Sequence, residues 1–155
     1  MEKISLKLFE FYNLESELNG VMNQQTGEKI SAGLLAEKLK LTTKYWLTEL
    51  AKKVAAEKAT VETLKEELIK KHGEADETGN ISIPMYIDIV KDEDGKIVDG
   101  KNNPKFIEFQ NEFNLLLQEE KELKYKPVNL SELESIESDG NYPTFFKLVV
   151  ADEQA

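Results

Sequence analysis

His72 is the only histidine in the chain, and there is no cysteine. Nucleophilic catalysis of the Ser-His-Asp or Cys-His kind needs an imidazole base beside its nucleophile, so any such site would have to be built on His72. That residue stands where a helical pattern ends, just before Gly73. A histidine there complements the negative end of the helix dipole, and the glycine serves as the stop. The acidic run Asp92-Glu93-Asp94-Gly95 invites comparison with a calcium loop. An EF-hand puts acids at positions 1, 3 and 5, glycine at 6 and glutamate at 12. With Gly95 at the sixth position, Val90 falls at the first and Lys101 at the twelfth, and neither can serve. A hairpin turn accounts for the run better.

Glu119-Glu120 and the trio Glu132, Glu134 and Glu137 are the remaining carboxylate clusters. Acid–base work needs two carboxyl groups held in one cleft with separated pKa values. Here they fall at expected helix ends or on polar faces, which fits solvated surface, and Glu132 fits a capping role. The glycines are isolated, and neither a phosphate-binding loop nor a dinucleotide fingerprint is present. These residues lead us to expect no catalytic, cofactor or metal site. Tyr45 and Trp46 suit a different task, because large aromatics are favoured at the centres of protein interfaces.

The chain has 155 residues, enough for a modest core, with 40% hydrophobic and 32% charged residues. Thirty acids face twenty bases, for a formal charge of −10, and every base is lysine. Arginine is the usual reader of phosphates and guanine edges. Its absence and the acidic balance argue against direct nucleic-acid binding. The N-terminal stretch lacks the apolar core of a signal peptide, and no run approaches the roughly 20 apolar residues that span a bilayer. Residence in the cytosol is the simple expectation.

The elements follow from periodicity. Ile4, Leu8, Phe11, Tyr12, Leu14, Leu18, Val21 and Met22 step as an amphipathic helix over 4–22, stopped by Gly20 and a polar turn. A second helix is expected from about Ser31, a plausible N-cap, to Lys71. At 1.5 Å per residue, roughly 40 residues would reach about 60 Å. Its stripe runs through Leu35, Leu39, Trp46, Leu50, Val54, Val61, Leu64 and Leu68, with a break possible near Leu41-Thr42-Thr43. Residues 81–90 then alternate as a strand marked by Pro84, and Asp94-Gly95 turns the chain into a second strand at Lys96-Ile97-Val98. Pro104 opens a helix faced by Phe106, Phe109, Phe113, Leu116 and Leu117. Residues 123–128 read as extended. Asn129 and Glu132 form a capping-box pattern for a short helix, and residues 145–150 read as a last strand. The expected fold class is α-rich α+β. We expect one domain over residues 1–155, with a helical part over 4–72 and a mixed part over 80–150.

Lys70 to Asn80 (KKHGEADETGN), Phe109 to Glu120 (FQNEFNLLLQEE) and Leu123 to Glu134 (LKYKPVNLSELE), after a short helix and a long charged one, resemble a loosely defined group of small uncharacterised proteins of tailed bacteriophages. The resemblance covers roughly the last two thirds of the chain in order and character. The chain departs from the group in its apolar hairpin over Ile81 to Val98 and in the strand-like end over Tyr142 to Val150. The resemblance implies phage origin and a non-enzymatic role; it transfers no functional residue.

The expected function is that of a protein–protein interaction protein, a virion-structural or assembly-accessory component that self-associates or docks through its long helix. The candidate partner interface is Tyr45, Trp46, Leu50, Val54, Val61 and Leu64. The expected partners are further copies, a larger phage assembly or a host protein. No cofactor, membrane or direct nucleic-acid contact is expected, and a homo-oligomer in the host cytoplasm or the virion is. The alternative is an acidic inhibitor or modulator of a host protein, of the anti-defence or nucleic-acid-mimic type. Lysines interspersed along the long helix, at Lys52-Lys53, Lys65 and Lys70-Lys71, count against a one-sided acidic stripe.

Overall fold

In the computed structural model, which describes residues 1–138 and 140–151, the chain is mixed α+β as expected. In chain order it forms β1 (Glu2–Lys7), α1 (Leu8–Asn19), β2 (Val21–Met22), β3 (Lys29–Ser31), α2 (Leu41–His72), β4 (Glu74–Ala75) and β5 (Ile81–Ser82). There follow β6 (Tyr86–Lys91), β7 (Ile97–Asn102), α3 (Pro104–Leu117), β8 (Glu120–Tyr125), β9 (Val128–Asn129) and β10 (Val149–Val150). Short 3-10 turns occupy Leu34–Ala36, Leu130–Leu133 and Phe145–Leu148. The strands pair two by two: β1 with β8, β2 with β3, β4 with β5 and β6 with β7, all antiparallel, and β9 with β10 in parallel.

The first expected helix splits. Residues 2–7 are a strand, and the helix starts only at Leu8. Ile4, Leu6 and Leu8 alternate as well as Ile4, Leu8 and Phe11 step, so both periods fit the sequence. The decision comes from far along the chain, where β8 pairs with Ile4 opposite Leu123 and Leu6 opposite Lys121. The same partner satisfies the helix start. Lys7 is the N-cap of α1 without a side-chain capping bond, and the Leu8 N–H donates to the Glu119 carbonyl at 2.9 Å. Leu8, Phe11, Leu14 and Leu18 then bury one face of α1.

The long helix starts ten residues later than Ser31, at the anticipated break. Ser31 ends β3 instead, and Gly33 follows at φ +81 and ψ 165. Gly20 sits at φ +87 and ψ 176, and both lie in a backbone region that essentially only glycine enters. The two glycine backbones touch: a Cβ on Gly33 would overlap the Gly20 nitrogen, and one on Gly20 the Ser31 carbonyl. This crossing keeps residues 31–33 out of the long helix. At the other end the sequence expectation holds, since the Gly73 N–H closes on the Ile69 carbonyl at 2.7 Å.

The alternating run at 81–90 is interrupted between Ser82 and Tyr86, around Pro84. The Asp92 carboxylate closes the next turn by accepting from the Asp94 and Lys96 N–H groups, with Gly95 at φ +79. Asn103 caps α3 ahead of Pro104: its Oδ1 accepts from the Lys105 N–H, and its Nδ2 donates to the Pro84 carbonyl at 2.7 Å. The expected last strand is mostly a 3-10 turn, with only Val149–Val150 extended.

Two compact units emerge. One comprises Met1–Ala59 with Glu119–Ala155, the other Thr60–Gln118. The division runs through α2 rather than at the joint expected near 73–80. The first unit has a dense core that includes Phe11, Leu14, Leu18, Val54, Phe145 and Leu148, each at most 1% exposed. The second is thin. Val61 and Phe109 are its only buried apolar side chains among the described residues. Phe109 stacks on Phe113 with ring centroids 5.9 Å apart.

Candidate functional site

His72 is the obvious residue to test for chemistry. Its side chain is 9% exposed, at the end of α2, with Nε2 3.0 Å from Glu112 and Nδ1 3.6 Å from Glu108. Glu108 and Glu112 share one face of α3, and Lys71 also reaches Glu112 at 3.1 Å. Hydrogen bonds from His72 and then Lys71 hold the Glu112 carboxyl below its ordinary pKa. Both ring nitrogens thus face carboxylates, and His72 ties α2 to α3 within the second unit.

Two of the acids named from the sequence, Glu132 and Glu120, also act as ties. Glu132 accepts the Thr43 hydroxyl at 2.8 Å and the Asn129 N–H at 2.7 Å, joining the start of α2 to the turn after β9. Two acids not singled out do more. One Glu17 oxygen accepts the N–H groups of Thr144 and Phe145, at 2.8 and 3.0 Å, so α1 caps the C-terminal 3-10 turn. Glu37 accepts the Tyr142 hydroxyl at 2.8 Å and that of Ser138. Burial first, then this bond to Glu37, pushes the Tyr142 hydroxyl pKa up. Glu120 receives a long bond from Ser5 at 3.3 Å. Among the described residues no group of three or more His, Asp or Glu side chains is placed to hold a metal ion. Nor, among them, is any helix long and apolar enough to cross a membrane.

The six residues of the expected interface separate cleanly. Leu50, Val54 and Val61 are 6%, 0% and 1% exposed, so that part of the stripe is internal packing and not a docking face. Tyr45, Trp46 and Leu64 are exposed. Leu64 belongs to the second unit, Tyr45 and Trp46 to the first. The two aromatic rings meet edge-on at 5.1 Å, and the Lys126 ammonium lies 5.3 Å over Trp46. With Glu49, Leu50, Lys53, Lys124, Tyr125 and Lys126 they line a cleft of about 150 Å³. The Lys53 ammonium donates to the Lys124 carbonyl at 2.9 Å across it.

A run of exposed apolar residues lies elsewhere. Every residue of β6 and β7 is exposed. Tyr86, Ile87, Ile89, Val90, Ile97 and Val98 all stand in solvent, with Ile97 at 63%. The ribbon is irregular. Ile87 faces Lys101, the pairing slips so that Val90 faces Asp99, and it slips back before Lys91 faces Ile97. Asp88, at φ +52, marks the first slip. Sequence reasoning found the hairpin but not its exposure. The signal was the apolar neighbours 86–87, 89–90 and 97–98: consecutive strand residues point to opposite faces, so such pairs make both faces apolar.

No protein-family model, curated protein or solved structure matches this chain.

Proposed function

We propose that the chain is a non-enzymatic protein–protein interaction protein that associates with a second copy of itself through the β6–β7 hairpin. The exposure of that hairpin carries the reading. A two-stranded ribbon is marginal in water by itself, and exposed apolar patches of this kind mark interaction surfaces. Covering the six side chains would contribute roughly 25 cal/mol per Å² of apolar area removed from water. The second unit has little core of its own to offer them.

Charge favours a second copy as the occupant. The chain as a whole carries −10, yet β6 and β7 hold Asp88, Lys91, Asp99 and Lys101, two of each sign. Two copies can therefore meet here without a like-charge penalty in the contact, and a two-fold pair closes on itself. Bulges blunt strand edges against open-ended pairing, so the ribbons would pack by their faces. The resemblance of residues 70–80, 109–120 and 123–134 to tailed-phage proteins supports a virion-structural or assembly-accessory setting, in the host cytoplasm or the particle. The acidic-mimic alternative draws less support, because Glu17, Glu37 and Glu132 turn their carboxylates onto the chain itself.

Light scattering of the full chain over a concentration series tests the reading. We expect a multiple of 17.7 kDa. The double variant Ile89→Glu, Ile97→Glu should fall to the single-chain mass with its far-ultraviolet circular dichroism intact, while Trp46→Glu should leave the mass unchanged. A wild-type chain of single mass throughout would sink it.

A further inference from the structure

We infer that the cleft between the first turns of α2 and the end of β8 binds an acidic peptide segment of a partner protein, one carrying an aromatic side chain. This site lies wholly in the first unit and does not rest on the hairpin reading.

The first observation is charge. Acids outnumber lysines by thirty to twenty, and some of the lysines pair with carboxylates, Lys3 with Glu122 and Lys121 with Glu57 among them. Lys53, Lys124 and Lys126 do not: among the described residues none has a carboxylate within ion-pair distance. Strand alternation gathers them. Leu123 and Tyr125 turn into the core, which leaves Lys124 and Lys126 outside, beside Lys53 on the facing helix. Glu49 lines the cleft and is paired with Lys52 at 3.0 Å, and Glu2 lies close enough to Tyr125 to act on its hydroxyl. On this strongly acidic chain three lysines thus converge on one cleft, against the single lining carboxylate of Glu49.

The second observation is shape. Tyr45 and Trp46 keep 57% and 37% of their surface in solvent at the mouth of the cleft. A space of about 150 Å³ suits one ring, since a cavity of roughly that volume takes up benzene. An incoming aromatic side chain would sit against the Tyr45–Trp46 pair while flanking carboxylates reach the three ammonium groups. Charge-assisted hydrogen bonds of that kind are the stronger ones. A single-stranded nucleic acid fits less well. It needs a track of successive stacking platforms along a basic groove, whereas this cleft takes a single ring and the rest of the chain repels a polyphosphate.

Trp46 is the only tryptophan, so its emission reports on this cleft alone. The full chain would be titrated at low salt with a seven-residue peptide of Asp and Glu around a central Phe. We expect a saturable change in emission. Affinity should weaken at least tenfold for the peptide with Ala in place of Phe, and at least tenfold for the chain carrying Lys124→Glu and Lys126→Glu. Both lysines are exposed, and an unchanged thermal midpoint would confirm that this variant folds. No saturable change with the Phe peptide, or equal binding by the charge-reversed variant, overturns the proposal. Tighter saturation of the same signal by an eight-residue thymidine oligonucleotide also overturns it, in favour of a nucleic-acid site.

Discussion

The Glu112 carboxylate shows how much a single side chain can hold together. It takes hydrogen bonds from His72 and Lys71 at the end of α2 while standing on α3. Those bonds depress its pKa from the ordinary 4.5, His72 contributing most. A depressed carboxylate contributes stability that is fully present above the ordinary value and is lost as pH falls through the folded-state value. We therefore expect the wild type to lose more stability than Glu112→Gln in urea titrations carried from pH 6 to below 4.5. Parallel curves for the two would show that the tie carries nothing. His72 was legible in the sequence as a residue at a helix end. Its partners were not, because Glu108 and Glu112 are distant in sequence and their i, i+4 spacing marks only a common face.

Among the elements, α2 was legible in its interior and its C-terminal stop but not in its start. The helix formers between 41 and 72 dictate helix by propensity, and Gly73 ends it. Residues 31–33 are kept out of it by Gly20 and Gly33, whose crossing needs two positive-φ backbones in contact. Periodicity could not sort the stripe of α2 into inner and outer members either. Leu50 and Trp46 are four residues apart, yet one is 6% exposed and the other 37%. This difference makes a prediction for the element. Leu50→Glu should destabilise the chain by several kcal/mol, through an unpaired buried charge and lost packing. Trp46→Glu, on the same helix, should cost about 1 kcal/mol or less. Thermal or urea unfolding of the two variants checks this, and similar costs would mean that the burial of α2 has been misassigned.

At the scale of the whole molecule, the two units differ in what supports them. The first, built from both ends of the chain, closes a core that spans more than 120 residues of sequence, as the contact of Glu17 with Thr144 and Phe145 illustrates. The second is continuous, and it buries little while exposing the hairpin. If a second copy covers that hairpin, association stabilises the fold by mass action. The unfolding midpoint should then rise with protein concentration, and it should lose that dependence in the Ile89→Glu, Ile97→Glu variant. A midpoint independent of concentration in the wild type would contradict the pairing. What the sequence determined by itself was local: the interior of α2, the proline-led α3, the Asp92–Gly95 turn, the extended run at 123–128 and the α+β class. Each rests on propensity, turn chemistry or period, which act over a few residues. Only the tertiary structure decided that residues 2–7 are a strand, that Leu50, Val54 and Val61 are core, that the hairpin stands uncovered and that Lys53, Lys124 and Lys126 line one cleft with Trp46. Those outcomes depend on partners brought together across the chain, and burial is a property of the assembled neighbours rather than of the residue itself.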